Sequence, residues 1–128
     1  MFLKREVEVL ASGARKTDPA QRFALSMGSR LILAIDITAR AGTGTLTPSL
    51  VMLINKVDAA VTLWTAGAAI DSSNTTVLYE FSNAGELEAV AGYTEQVQML
   101  LPANMRLNVA HSDGTNAITY SAHIVEIP

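Results

Sequence analysis

Met105-Arg106-Leu107-Asn108-Val109-Ala110-His111, a short polar connection, and then Ile118-Thr119-Tyr120-Ser121-Ala122-His123-Ile124 form the stretch that decides the fold. Met105, Leu107 and Val109 alternate with Arg106, Asn108 and Ala110, and Ile118, Tyr120, Ala122 and Ile124 alternate with Thr119, Ser121 and His123. A period of two is what half-buried strands need, because successive side chains point to opposite faces of a sheet. Between the two limbs lies Ser112-Asp113-Gly114-Thr115-Asn116, whose Asp-Gly pair tolerates the positive φ of tight turns. The expectation is a β-hairpin.

Working outward, the same pattern recurs. Residues 2–10 read as a first strand, with Val7 and Val9 set against Glu6 and Glu8, and 11–20 as a loop around Gly13, Asp18 and Pro19. Arg22 to Leu25 is a short strand. Arg30 to Thr38 is a longer one with Leu31, Leu33, Ile35 and Ile37 facing inward. Gly42-Thr43-Gly44 marks a turn; it lacks the third glycine and the following helix of a phosphate loop. Leu46 to Lys56 is a strand apolar on both faces, Val61 to Thr65 carries Trp64, and Thr75 to Phe81 puts Val77, Tyr79 and Phe81 on one face. Gln96 to Leu101 reads as a further strand stopped by Pro102, and residues 83–94 as a loop or one helical turn. About eight short strands with Gly, Pro and Asp between them predict an all-β antiparallel β-sandwich, jelly-roll-like.

The bulk numbers agree with one domain: 128 residues bury roughly two thirds of the surface an unfolded chain exposes. An N-terminal arm, or first strand plus loop, over 1–20 would precede the sandwich over 21–128. Charged residues are 16% of the chain against 49% hydrophobic, a balance suited to a protein that lives against other proteins. A net charge of −3 without a Lys/Arg cluster gives no nucleic-acid footprint. The absence of cysteine excludes disulfides and thiolate sites. Lys4, Arg5, Glu6 and Glu8 sit where a signal peptide needs its apolar core, and the longest apolar runs are short of the ~20 residues of a spanning helix. The expectation is a chain made in the cytoplasm, with no membrane partner.

No residues group into an evident catalytic set, so the expectation is no enzyme, no cofactor and no metal. On the hairpin reading His111 and His123 stand roughly 17–24 Å apart on opposite faces, at about 3.4 Å per residue, too far for a shared metal. His111 with Asp113 reads as a pair closing the turn. No nucleophile elbow is present, and Glu86, Glu88 and Glu95 lack a calcium-loop spacing. Trp64, Tyr79, Phe81 and Tyr93 could form a sugar-stacking platform; core packing suits Tyr79 and Phe81 better, and Trp64 stays open. The double-sided run Leu50, Val51, Met52, Leu53 and Ile54 is the strongest interface candidate, because its second face needs a cover. Phe2 and Arg5 of the arm and Trp64 join it as candidate subunit or capsid contacts.

Several of these segments together resemble a family. Leu31 to Thr38 followed by Ala39, Leu50 to Ile54, Trp64-Thr65-Ala66-Gly67-Ala68-Ala69-Ile70, Thr75-Thr76-Val77-Leu78, and above all Leu101-Pro102, Arg106, Val109-Ala110-His111, Asp113 and Ile118-Thr119-Tyr120-Ser121 are similar to small virion structural proteins of tailed phages and prophages. The similarity spans roughly residues 10 to 124. It departs at Pro102-Ala103-Asn104-Met105, where a basic residue and an aromatic are expected after the proline. The resemblance implies a capsid decoration (cement) protein, docking as a β-sandwich trimer on the major capsid protein of an assembled head, with residues 1–20 able to add a strand to a neighbour. Alternatives are a head-fibre or tail component, or a carbohydrate-binding module for host attachment.

Overall fold

Two sheets stack face to face, and the chain passes between them at six of its eight strand-to-strand connections. The computed structural model describes residues 5–25, 29–54, 59–83 and 90–127. Its strands are β1 (Arg5–Arg15), β2 (Ala20–Ala24), β3 (Arg30–Arg40), β4 (Leu46–Ile54), β5 (Ala59–Thr65), β6 (Thr75–Ser82), β7 (Glu95–Gln98), β8 (Asn104–His111) and β9 (Ile118–Ile127). The first sheet runs β1-β9-β3-β6-β7 and the second β2-β8-β4-β5. Without β7 this is two four-stranded sheets interleaved as a jelly roll. β7 is the exception to antiparallel pairing, lying parallel to β6 after a long connection.

The inward residues are those the alternation selects. Leu31, Leu33, Ile35 and Ile37 of β3 are fully buried, as are Tyr79 and Phe81 of β6 and Met105, Leu107 and Val109 of β8. Leu46, Leu50, Ile118, Tyr120, Ala122 and Ile124 complete the same cluster. Trp64 of the second sheet packs edge-on against Tyr79 and Phe81 of the first, each ring 4.8 Å away, which pins the sheets together.

Three expectations are corrected. β8 and β9 do not form a hairpin: β8 pairs with β2 and β4, and β9 with β1 and β3, so the two limbs face each other across the core. The six residues between them form a bridge between sheets. Gly114 is not among the positive-φ residues, which among those described are Asn74, Gly42 and Gly92. The physical cause is the neighbouring β3–β4 connection. The Ala41 N–H donates to the Ala117 carbonyl at 3.0 Å, the Ser112 N–H to the Thr45 carbonyl at 3.1 Å, and the Thr45 N–H to Ser112 Oγ at 2.8 Å. Gly42, at φ +70°, and Gly44 let the loops touch: a Cβ on either would stand 2.6 Å from Asn116 Nδ2 or 2.8 Å from Asp113 Cβ. Secondly, of the two readings of residues 1–20, arm or first strand plus loop, the described part has the strand, and it runs further than expected. β1 extends into the expected loop as far as Arg15 and pairs along β9 with shifts at Glu8/Leu10 and Leu10/Gly13, which bury Val9 and Leu10 together. Thirdly, Asp113 does not pair with His111. It accepts from the Thr115 N–H at 2.8 Å and Asn116 Nδ2 at 3.0 Å.

Candidate interface site

β4 sits between β8 and β5 and faces two ways. Leu50 lies opposite Leu107 and Trp64, points inward and is fully buried. Val51, opposite Arg106 and Thr62, points outward, yet it is only 3% exposed. Met52 turns inward again beside Met105, Leu53 faces outward opposite Ala60, and both are half-buried. Ile54, at the strand's end, is 41% exposed, and Val61 nearby on β5 is 44% exposed. A bulge between the Leu50 and Val51 pairings, with Leu63 as the extra residue, reorients β5 here. The apolar run thus divides. Leu50 serves the core of its own chain, Val51 and Leu53 lie on the outer face, and Ile54 has the inward parity of Leu50 and Met52 but is exposed at the strand's end.

The remaining candidates divide likewise. Phe2 lies outside the described residues. Arg5 sits opposite Glu126, with Nε 3.1 Å from Oε2, and its guanidinium also donates to the Ala24 carbonyl, joining β1 to the end of β2. Trp64 is buried, at 7% exposure, and its indole N–H donates to Glu95 Oε1 at 3.2 Å. That burial removes Trp64 as an exposed sugar platform. Tyr93 is half-buried, 3.4 Å from an Arg30 nitrogen.

Several polar groups carry structure that the strand pattern conceals. Glu95 binds twice, accepting from Trp64 and from the Gly67 N–H at 2.8 Å, and so ties β7 to the loop after β5. Glu80, 2% exposed on the outer face of the first sheet, accepts from Arg30 Nε at 2.6 Å and Gln96 Nε2 at 2.8 Å. Glu126 is legible in retrospect: it continues the inward series Ile118, Tyr120, Ala122 and Ile124, so period two alone places a carboxylate in the interior.

At the open end of the β8–β9 bridge, His111 Nε2 lies 2.7 Å from the Tyr120 hydroxyl, and the His111 N–H donates to Asp18 Oδ1 at 2.8 Å. Burial holds the imidazole below its ordinary pKa, partly opposed by Asp18 and reinforced by Arg15. Burial also pushes the Tyr120 hydroxyl up, as it does Tyr79, to about 12 with help from Glu95. The Tyr79 hydroxyl finds no hydrogen-bond partner among the described residues. His123 is elsewhere, on the outer face of the first sheet, with Nε2 4.0 Å from Glu8. Among the described residues no three His, Asp or Glu side chains cluster to hold a metal, and no helix is long and apolar enough to cross a membrane.

No protein-family model matches this chain, and no curated protein does. Solved structures do. A chain in the structure of infectious bursal disease virus, Gt strain, superposes with a TM-score of 0.50 at 10% identity, over 97% of this chain and 32% of that one. A chain in the structure of the Gx strain gives 0.42 at 9% identity, over 98% and 32%. This protein therefore spans about a third of the length of those chains, and what it shares with the Gt-strain chain is the fold.

Proposed function

We propose that the protein is a virion structural component, and within that class a tailed-phage capsid decoration protein that binds the assembled head as an oligomer and stabilises it. The observation that carries the reading is the strand order: β1-β9-β3-β6 facing β2-β8-β4-β5, a jelly roll that superposes on a chain of a virus structure. Fold alone does not assign function. The reading draws its second support from where the titratable groups go: Glu80, Glu95, Glu126 and His111 are all engaged in joining strands and sheets. In this reading the protein performs no catalysis, the major capsid protein is its partner, and the capsid surface is its location. A trimer is the favoured oligomer. Leu53, with the exposed Ile54 and Val61 at the end of the β4–β5 pair, supplies apolar contact surface.

The test is the mass of the purified protein in solution, followed by mixing with undecorated heads of its own phage and pelleting. A trimer that co-sediments at fixed stoichiometry and raises the heads' melting temperature is the expected result. A monomer that stays in the supernatant overturns the reading.

A further inference from the structure

The two outer faces of the sandwich carry opposite charge. Among the described residues, Glu6, Glu8, Asp36 and the buried Glu80 stand outward on the five-stranded sheet, with Arg30 bound to Glu80 and His123 4.0 Å from Glu8. Half-buried Ile32, Ala34, Leu78 and Val125 occupy the middle of that face. Outward on the four-stranded sheet the charged residues among those described are Arg22 and Arg106, directly opposite one another across β2 and β8. The rest of that face, among the described residues, is Thr47, Ser49, Thr62, Thr65, Asn104 and Asn108 with Val51, Leu53 and alanines. An acidic face meeting a platform that is neutral but for two arginines toward its β2 edge is the complementarity that orients protein–protein contacts.

The platform also has a receptor. Arg106, Asn108, Ser49, Ala20, Pro19 and Asp18 line a groove of about 450 Å³ on it. Arg106 Nε donates to Asn108 Oδ1 at 3.0 Å, which holds the guanidinium in place while its terminal nitrogens have no partner among the described residues. Asp18 stands on the groove's border as the opposing charge, with Oδ1 already accepting from the His111 N–H. On the other face, Glu6 is exposed at the chain's first paired strand and has no bond or ion pair among the described residues.

We propose that copies of this protein dock the acidic outer face of one on the basic outer face of the next, with Glu6 of one copy entering the groove to pair with Arg106 of its neighbour. The two patches lie on opposite sides of the sandwich, so the contact is heterologous. With its two patches on opposite faces it propagates as a stack and cannot close as a two-fold dimer. The inference goes beyond the trimer named above and rests on the decoration reading only for its biological setting; its test does not need the phage head.

The experiment measures self-association of the full chain by sedimentation velocity across salt, since the screening length falls from about 30 Å at 0.01 M to about 3 Å at 1 M. Association at low salt that dissolves at high salt is expected. Arg106→Glu and Glu6→Arg, each checked by thermal melting to be folded, should separately weaken association by about tenfold or more, as loss of a charge-assisted hydrogen bond does. An equal mixture of the two variants should restore it, because each supplies the charge the other lacks. Association that ignores salt and both substitutions overturns the proposal, as does failure of the mixture to recover. A wild-type protein that is monomeric at low salt but loses head binding on Arg106→Glu also overturns it, placing the groove's occupant on the capsid while leaving the decoration reading intact.

Discussion

Single residues in this protein show where burial decides chemistry. Tyr79 faces inward with an unpartnered hydroxyl, so its ring contributes packing and its oxygen contributes a desolvation cost. Tyr79→Phe should leave stability unchanged or raise it by up to about 1 kcal/mol in chemical denaturation; a clear loss would show that the hydroxyl has a partner in solution. His111 gives a signed pH dependence. Its pKa is lowered by burial, so the unfolded chain takes up its proton more readily than the folded one. Its contribution is therefore whole above its ordinary value of 6.5 and shrinks as pH falls through it. Asp113 acts lower on the scale. The Thr115 N–H and Asn116 amide depress its pKa, so its contribution is whole above 3.8 and is lost below. Urea midpoints measured against pH should thus fall in two steps, and His111→Gln should flatten the upper one alone. At this scale the sequence is a good guide to which residues go inside, Glu126 included. It is a poor guide to hydrogen-bond partners, since His111 meets Asp18 and Tyr120, distant in sequence, rather than its neighbour Asp113.

At the scale of the element, the strands themselves are legible and their partners are not. Alternation states which way a side chain points but not which strand lies beside it. Met105, Leu107 and Val109 face Ile118, Tyr120 and Ile124 whether the limbs are joined by a hairpin or stacked across a core. What separates the two cases is the clasp between the 41–45 and 112–117 loops, a tertiary contact with no local signature. Gly44 tests it. A methyl group there would meet Asp113 Cβ at 2.8 Å, a position near the backbone with little room to yield. Gly44→Ala should cost about 1–3 kcal/mol, as overpacking does, read as a lower denaturation midpoint at unchanged slope. A neutral result would mean that the loops part easily and that the sheets are held apart by other means. The candidate interface divides in the same way. Double-sided hydrophobicity marks β4 as an inner strand of its sheet, but the outward Val51, between Arg106 and Thr62 of the neighbouring strands, is already buried within the same chain.

For the whole molecule, β9 is the strand on which closure depends. It lies between β1 and β3, and its inward residues are among the most completely buried. A chain ending at Ala117 lacks that strand and leaves β1 without a partner, so it should show no cooperative unfolding transition and should bind hydrophobic dyes; a sharp transition would mean the second sheet is a folding unit by itself. The same architecture sets the order of events during synthesis. β1 is synthesised before its partner, and the register Arg5 to Glu126 puts nearly the whole described chain between them. At about 5–20 residues per second the earliest strand waits on the order of ten seconds with its edges unsatisfied. Folding dominated by such distant pairings is slow even after release. A sandwich built this way closes only once β9 has been made, and its weakest moment is the interval before that strand arrives.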